Sequence, residues 1–273
     1  MRTEHNATLL QAVAEVARLT GQVALGHYRR GVAVEIKGDG SPVTIADRAA
    51  EETARGWIAA RFPADAILGE EYGAAGDESA RRWFIDPIDG TKTFVRGVPL
   101  WGTLIAVARG QEVIAGAIYC PAVDEMVAAA GGEGCWSNGS RAHVSPCNDL
   151  SRATVLVTDD RFPKHRDRAA RWAAVAAEAT VARTWGDCYG YLLVATGRAE
   201  AMVDNLMAPW DAAALVPVIR EAGGEFSDWD GRVTPFGNGS IATNGALASL
   251  VRERLSVPWP AAEIGAVRDT SHA

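Results

Sequence analysis

Trp83-Phe84-Ile85-Asp86-Pro87-Ile88-Asp89-Gly90-Thr91-Lys92-Thr93-Phe94 changes character halfway along. Trp83 to Ile85 is an apolar run suited to a buried strand, and it ends in Asp86-Pro87, where regular pairing is expected to stop. Asp86 and Asp89 then stand three residues apart at a strand end. Gly90 and Thr91 follow with backbone N–H groups and a hydroxyl where a short helical turn can begin, a seat for an anion. Carboxylates attract cations, whereas N–H groups attract anions. Divalent metal ions bridging the acids to a phosphate reconcile the two, because the carboxylates alone would repel it.

Upstream, apolar residues from Leu9 to Ala24 recur at three- and four-residue spacing, which predicts a first helix ending near Gly26. Val32, Val34 and Ile36 alternate with small or charged residues as a half-buried strand would, and Lys37 to Pro42 reads as a loop. Thr44 is placed to cap a second helix that carries Asp47 in its first turn and that Pro63 closes. Ala66-Ile67-Leu68 is a short strand running into Gly69-Glu70-Glu71, so a second pair of acids also sits at a strand end. Downstream, Thr103–Ala108 and Val113–Tyr119 read as a hairpin, with a third strand at 126–129 and turn chemistry at 137–140. From 154 the pattern changes to alternating strands and helices, with helices at 164–179, 189–196 and 211–222. This divides the chain into 1–146, helices with a largely antiparallel sheet, and 147–257, an α/β half. Residues 258–273, with Pro258 and Pro260, are expected outside the fold.

Composition narrows the function. At 273 residues and 48% hydrophobic the chain can bury a large core, and its net charge of −7 argues against nucleic-acid or membrane-surface partners, which need a basic face. A small-molecule partner is the expectation. Cys120, Cys135, Cys147 and Cys188 show no metal-type or C-x-x-C spacing, and Met1 to Asn6 is polar without an apolar leader core, so the chain reads as cytoplasmic and reduced.

A two-metal phosphatase needs about four carboxylates, of which Glu70, Asp86 and Asp89 supply three. Asp211, following Pro209-Trp210 at the start of a helix, is a candidate for the fourth. Read alone, Asp211 is better explained as an N-cap, and Asp47 as a first-turn acid complementing the helix dipole.

Gly69-Glu70-Glu71, Asp86-Pro87-Ile88-Asp89-Gly90-Thr91, and Trp210-Asp211-Ala212-Ala213 followed by Glu221-Ala222-Gly223-Gly224 together resemble the inositol monophosphatase family in order and spacing, over about residues 5 to 255. The resemblance implies an α/β (α+β) fold, a layered α-β-α-β-α sandwich, and a homodimer. It implies that Glu70, Asp86 and the Ile88 carbonyl hold one Mg²⁺, that Asp86, Asp89 and Asp211 hold a second, and that a third, weaker ion shares Glu70, with inhibition by Li⁺. Asp47 and Thr91 resemble the pair that orients and deprotonates the attacking water, which makes Asp47, Thr91 and Glu70 the implied catalytic residues. The Gly90 and Thr91 amides would cradle the phosphate, and Lys37 resembles a loop lysine near the metals. None of the five histidines falls in a motif, and all read as surface or satisfied residues.

The alcohol is a separate question. Asp187 stands where inositol monophosphatases typically carry a small residue, and Asp204 matches the family's acid that meets ring hydroxyls. Two acids at the leaving group suit a cationic alcohol. The runs Asp89 to Thr103 and Arg183 to Gly197 resemble the histidinol-phosphatase branch. The expected reaction is Mg²⁺-dependent hydrolysis of histidinol phosphate by a metal-activated water, in histidine biosynthesis. An inositol-1-monophosphatase or broad small-molecule phosphatase is the alternative, and a catalytically silent scaffold a third reading. Arg96, Trp185 and Tyr189, beside Asp187 and Asp204, are candidates for shaping the substrate end. Trp101 joins them, and for all four a structural role is equally open.

Overall fold

The computed structural model describes residues 2–257 apart from 39, 41, 78–79 and 164, so the expected tail lies outside the described residues. In chain order, α1 (Arg2–His27) leads to β1 (Val34–Ile36), β2 (Pro42–Thr44), α2 (Ile45–Arg61), β3 (Ala66–Gly69), β4 (Gly73–Ala75) and β5 (Arg82–Asp89). Then come α3 (Thr91–Val95), β6 (Gly102–Arg109), β7 (Glu112–Cys120), β8 (Glu125–Ala130), β9 (Gly134–Ser137) and β10 (Ser140–Arg141). The rest comprises β11 (Thr154–Val157), α4 (Arg166–Glu178), β12 (Val181–Arg183), α5 (Cys188–Ala195), β13 (Ala201–Asp204), α6 (Pro209–Ala213), α7 (Leu215–Glu221), β14 (Gly224–Ser227), β15 (Ser240–Asn244) and α8 (Ala248–Leu255).

The apolar runs around Asp86 pair into an eight-stranded sheet ordered β10-β9-β8-β7-β6-β5-β3-β4, antiparallel except where β3 meets β5. A second, five-stranded sheet is ordered β12-β11-β13-β15-β14 and is parallel only around β11. Helices α1 and α2 cover one face of the first sheet, α5, α6 and α7 lie between the sheets, and α4 and α8 pack outside the second. The result is the layered α-β-α-β-α arrangement. Leu9, Val13 and Trp83 belong to the apolar cluster on the outer side of the first sheet, and Phe84 and Leu104 to the one on the inner side, which continues through Leu192 to Met202 and Phe226 of the second sheet. Trp83 and Phe84 alternate between the two because successive strand side chains point to opposite faces.

Four local expectations are corrected. The strand at 34–36 is not half-buried: Val34 is 45% and Ile36 68% exposed, and it pairs only with β2 in a separate hairpin. β2 itself and the short β4 are absent from the sequence reading. Pro87 does not end β5, which continues to Asp89 with a register shift between Asp86 and Asp89. The helix expected over 211–222 is two helices meeting at Ala214, since Pro217 has no N–H for the carbonyl of Ala213.

Candidate active site

In a regular strand, residues three apart face opposite sides. The register shift in β5 overrides this, as a bulge does, and turns Asp86 and Asp89 into one cavity. The Pro87 carbonyl freed by the irregularity accepts the Thr103 hydroxyl at 2.8 Å. Asp211 enters from α6, where its Oδ2 accepts the Ala208 N–H at 2.8 Å in the first turn. Asp211 is therefore not the N-cap, which is Ala208, but the third residue of the helix, bonding back to the N-cap N–H, and its other oxygen remains for the cavity. The helix can sit this close because β7 carries Gly116 beneath it: a Cβ there would stand 2.6 Å from the Ala214 carbonyl oxygen.

Oxygens of Asp86, Asp89 and Asp211 lie within 4.8 Å of one another. Burial, reinforced by the charges of Glu70, Asp89 and Asp211, pushes Asp86 well above the usual carboxylate range, and burial with Asp187 and Asp211 does the same to Asp89. Asp211 is pushed by burial to about 6. The Asp86 Oδ1 is buried and has no hydrogen-bond partner among the described residues. Such a cluster binds protons or a cation, and a set of oxygen donors this close fits a hard divalent ion. Glu70 and Ile88 line the same cavity, of ≈ 760 Å³, and the Glu70 carboxylate could complete its shell.

Glu70 is held by a lysine. Lys37 Nζ lies 2.7 Å from Glu70 Oε1 and 2.6 Å from Glu71 Oε1. Burial works against the ammonium, but the two hydrogen-bonded glutamates outweigh it and hold Lys37 above its ordinary range. The turn carrying both glutamates is fixed by Glu51, a buried acid on α2 that accepts the N–H groups of Glu71 at 2.7 Å and Tyr72 at 3.2 Å and pairs with Arg55. Glu51 escaped the sequence reading; the available signal was its place one turn after Asp47, an acid on the apolar stripe of Ala50 and Ala54.

Asp47 and Thr91 meet as an unequal pair. Asp47 Oδ2 accepts the N–H and hydroxyl of Thr44 at 2.8 and 2.7 Å in a capping box, and its Oδ1 faces Thr91 Oγ1 at 3.5 Å. The Thr91 hydroxyl stands 3.0 Å from the Ile88 carbonyl. Burial pushes Asp47 up. Gly90, at φ 86, begins α3, and the left-handed conformation selects glycine. A Cβ there would also lie 2.6 Å from Asp187 Oδ2.

Asp187 leads into α5 and accepts the Thr93 hydroxyl at 3.2 Å; burial raises it. It lines both the main cavity and an inner recess of ≈ 100 Å³, which Asp89, Asp204 and Asp211 share. Asp204 is buried there, accepting the Tyr191 hydroxyl at 2.7 Å and the Thr158 N–H at 3.3 Å, and burial pushes it to about 7. The structure does not bring the other three substrate-end candidates into this cavity. Arg96 donates to the Lys92 carbonyl beside the β1–β2 hairpin, Tyr189 donates to Glu125, and Trp185 is 40% exposed. Trp101 is fully buried between Phe94 and Tyr28, a core residue. Conversely His165, read only as a surface or satisfied residue, precedes α4 and lines the cavity with Trp210 and Asn238. No motif surrounds it in the sequence, and only the packing of α4 places it.

The inositol monophosphatase family model matches residues 5–257. A histidinol-phosphatase of Chlorobaculum parvum is 41% identical over 240 residues, covering 87% of this chain and 93% of its own length. A histidinol-phosphatase of Mycobacterium tuberculosis is 36% identical, covering 82% and 88%. Among solved structures, the extragenic suppressor protein suhB from Bartonella henselae superposes with a TM-score of 0.83 at 28% identity, covering 91% of this chain and 98% of that one. The chain belongs to the inositol monophosphatase family and is a phosphoric monoester hydrolase.

Proposed function

We propose that the protein hydrolyses L-histidinol phosphate to L-histidinol and phosphate with Mg²⁺. The reading rests on one observation: the inner recess that adjoins the Asp86–Asp89–Asp211 cluster is walled by two further acids, the buried Asp204 and the part-buried Asp187. A neutral polyol gives such acids no charge to meet, whereas an alcohol carrying an ammonium and an imidazole does. The name shared by the two relatives above supports the same choice.

Glu70, Asp86 and the Ile88 carbonyl would hold one ion, Asp86, Asp89 and Asp211 a second, and Glu70 would share a third. Bound there, Mg²⁺ supplies charge to the phosphoryl oxygens, an acidified water and stabilisation of the leaving alkoxide. The chain's own part is positional. Asp47, with one oxygen anchored by Thr44, has the other free to take a proton relayed through the Thr91 hydroxyl. Gly90 and Thr91 seat the phosphate, and Asp187 and Asp204 orient the leaving group's cationic end. Removal of bulk water follows from the depth of the recess.

Phosphate release from histidinol phosphate, inositol 1-phosphate, fructose 1,6-bisphosphate and adenosine 3′,5′-bisphosphate tests the substrate. Histidinol phosphate is expected to give the highest kcat/KM; fastest turnover of inositol phosphate would overturn the assignment and leave the hydrolase chemistry in place. Inhibition by Li⁺ and assembly as a homodimer belong to the same reading, measured by LiCl titration and light scattering.

A further inference from the structure

Asn238 lines the acidic cavity and also a second one, of ≈ 530 Å³, that the hydrolase reading leaves unused. Two arginines from different elements face this second cavity, Arg168 from the first turn of α4 and Arg232 from the loop between β14 and β15. The Arg168 guanidinium lies 4.5 Å from the centroid of the Trp229 ring, and its Nη1 donates to Asn205 Oδ1 at 3.1 Å. That bond uses one of five N–H groups. Among the described residues Arg168 closes no ion pair within 4.0 Å, and burial pushes it below its ordinary value. Its place in a first helical turn, beside Arg166, also sets a cation against the helix dipole.

The surroundings hold this cation in place at the cavity wall. Trp229 is fixed from behind, its Nε1 donating to the Asp204 carbonyl at 2.8 Å and its ring meeting Phe162 edge-on at 6.0 Å. Asp228 spends Oδ1 on the N–H groups of Asp230 and Arg232, at 2.9 and 2.8 Å, which ties that oxygen to its own turn, while its charge still acts on Arg168. Asp230 stands 3.7 Å from Arg232 with both side chains largely exposed, a pairing worth little in water. The lining thus brings a part-buried guanidinium, a second arginine, the Thr234 hydroxyl and the Asn238 amide around one space, with Asp228 and Asp230 on the same wall. A planar fork of this kind matches an oxyanion.

We propose that this cavity is a binding site for a small oxyanion, the phosphate or carboxylate group of a metabolite, held by Arg168 with Arg232 and Asn238 closing around it. The site needs no metal, which separates it from the acidic cavity.

Titration calorimetry on the full chain, with inorganic phosphate and with succinate, each with and without Mg²⁺ at constant ionic strength, tests this. A saturable site that persists without Mg²⁺ is expected, weakened roughly tenfold or more by Arg168→Gln, which removes the guanidinium charge and keeps a shorter polar side chain, and less by Arg232→Gln. Binding of phosphate alone assigns the site to phosphate groups, and binding of succinate alone to carboxylates; either supports it. Arg232 is exposed, so its variant decides the matter should Arg168→Gln melt early. Absence of metal-independent saturation, or equal affinity in wild type and both variants, overturns the proposal without touching the substrate assignment.

Discussion

Asp89 Oδ2 accepts the backbone N–H of Cys188 at 2.5 Å, across 99 positions of sequence. The bond ties the end of β5 to the start of α5 and leaves the other oxygen for the cluster with Asp86 and Asp211. Asp89→Asn keeps an acceptor for Cys188 and removes the charge. Phosphate release should fall by about three decades, the loss of several kcal/mol of transition-state stabilisation. The melting temperature without metal should hold or rise, because a carboxyl that burial disfavours is gone. Unchanged turnover in a folded Asn variant would remove Asp89 from the mechanism.

The pH dependence of stability follows from the same acids. Asp204 and Asp211 are pushed up to about 7 and about 6, and Asp86 and Asp89 are raised as well. Between the ordinary carboxylate range and these values, the unfolded chain has released protons that the folded chain still holds. Folded stability therefore falls as pH rises through this window. Urea midpoints of metal-free protein should decline from about pH 4.5 to about pH 7, and saturating Mg²⁺ should reverse the decline, most strongly at the upper end. Metal-free stability that rises across the window would show that the acids are ionised at little cost.

Much of this site was legible because its chemistry is compressed into short runs. Asp86 to Thr91, Glu70 after a strand and Asp211 after Pro209 each announce an element end carrying an acid. The alternation of strands and helices beyond 154 likewise marked an α/β half, while the layering itself was implied by the resemblance to the family. Other features depend on distant packing. Whether Asp86 and Asp89 share a side rests on the irregularity opposite β6, and the first sheet does not extend to β1, so Val34 and Ile36 alternate as a buried strand would and yet stay exposed. Arg96, Trp185 and Tyr189 lie near the motifs in sequence and do not line the cavity, whereas His165 is far from every motif and lines it from the start of α4.

Lys37 sits where it neutralises Glu70 and Glu71 together. Replacing it with Met leaves both glutamates without their cation, at a cost of roughly 1–3 kcal/mol to the metal-free protein. Glu70 would then be available to Mg²⁺ without displacing the ammonium. The expected result is a lower melting temperature without metal and a larger gain on adding Mg²⁺ than in wild type. A gain equal to that of wild type would mean that the lysine and the metal do not compete for Glu70.

Asp187 offers the sharpest separation of substrate from chemistry. Its carboxylate stands over Gly90, held by Thr93, and it belongs to both the main cavity and the recess. Asp187→Ser removes the charge and keeps a small polar group, the kind of residue that suits an uncharged polyol. The kcat/KM for histidinol phosphate should fall roughly 10- to 100-fold, the range for losing a charge-assisted contact. The value for inositol 1-phosphate should hold or rise, since no charge is lost to a neutral ring and the repulsion of its phosphate is relieved. Thr93→Val supplies the control, because it strips the carboxylate of its hydroxyl partner and leaves the charge. If Asp187→Ser depresses both substrates equally, the residue supports the common phosphate or metal chemistry instead, and selection of the alcohol rests with Asp204.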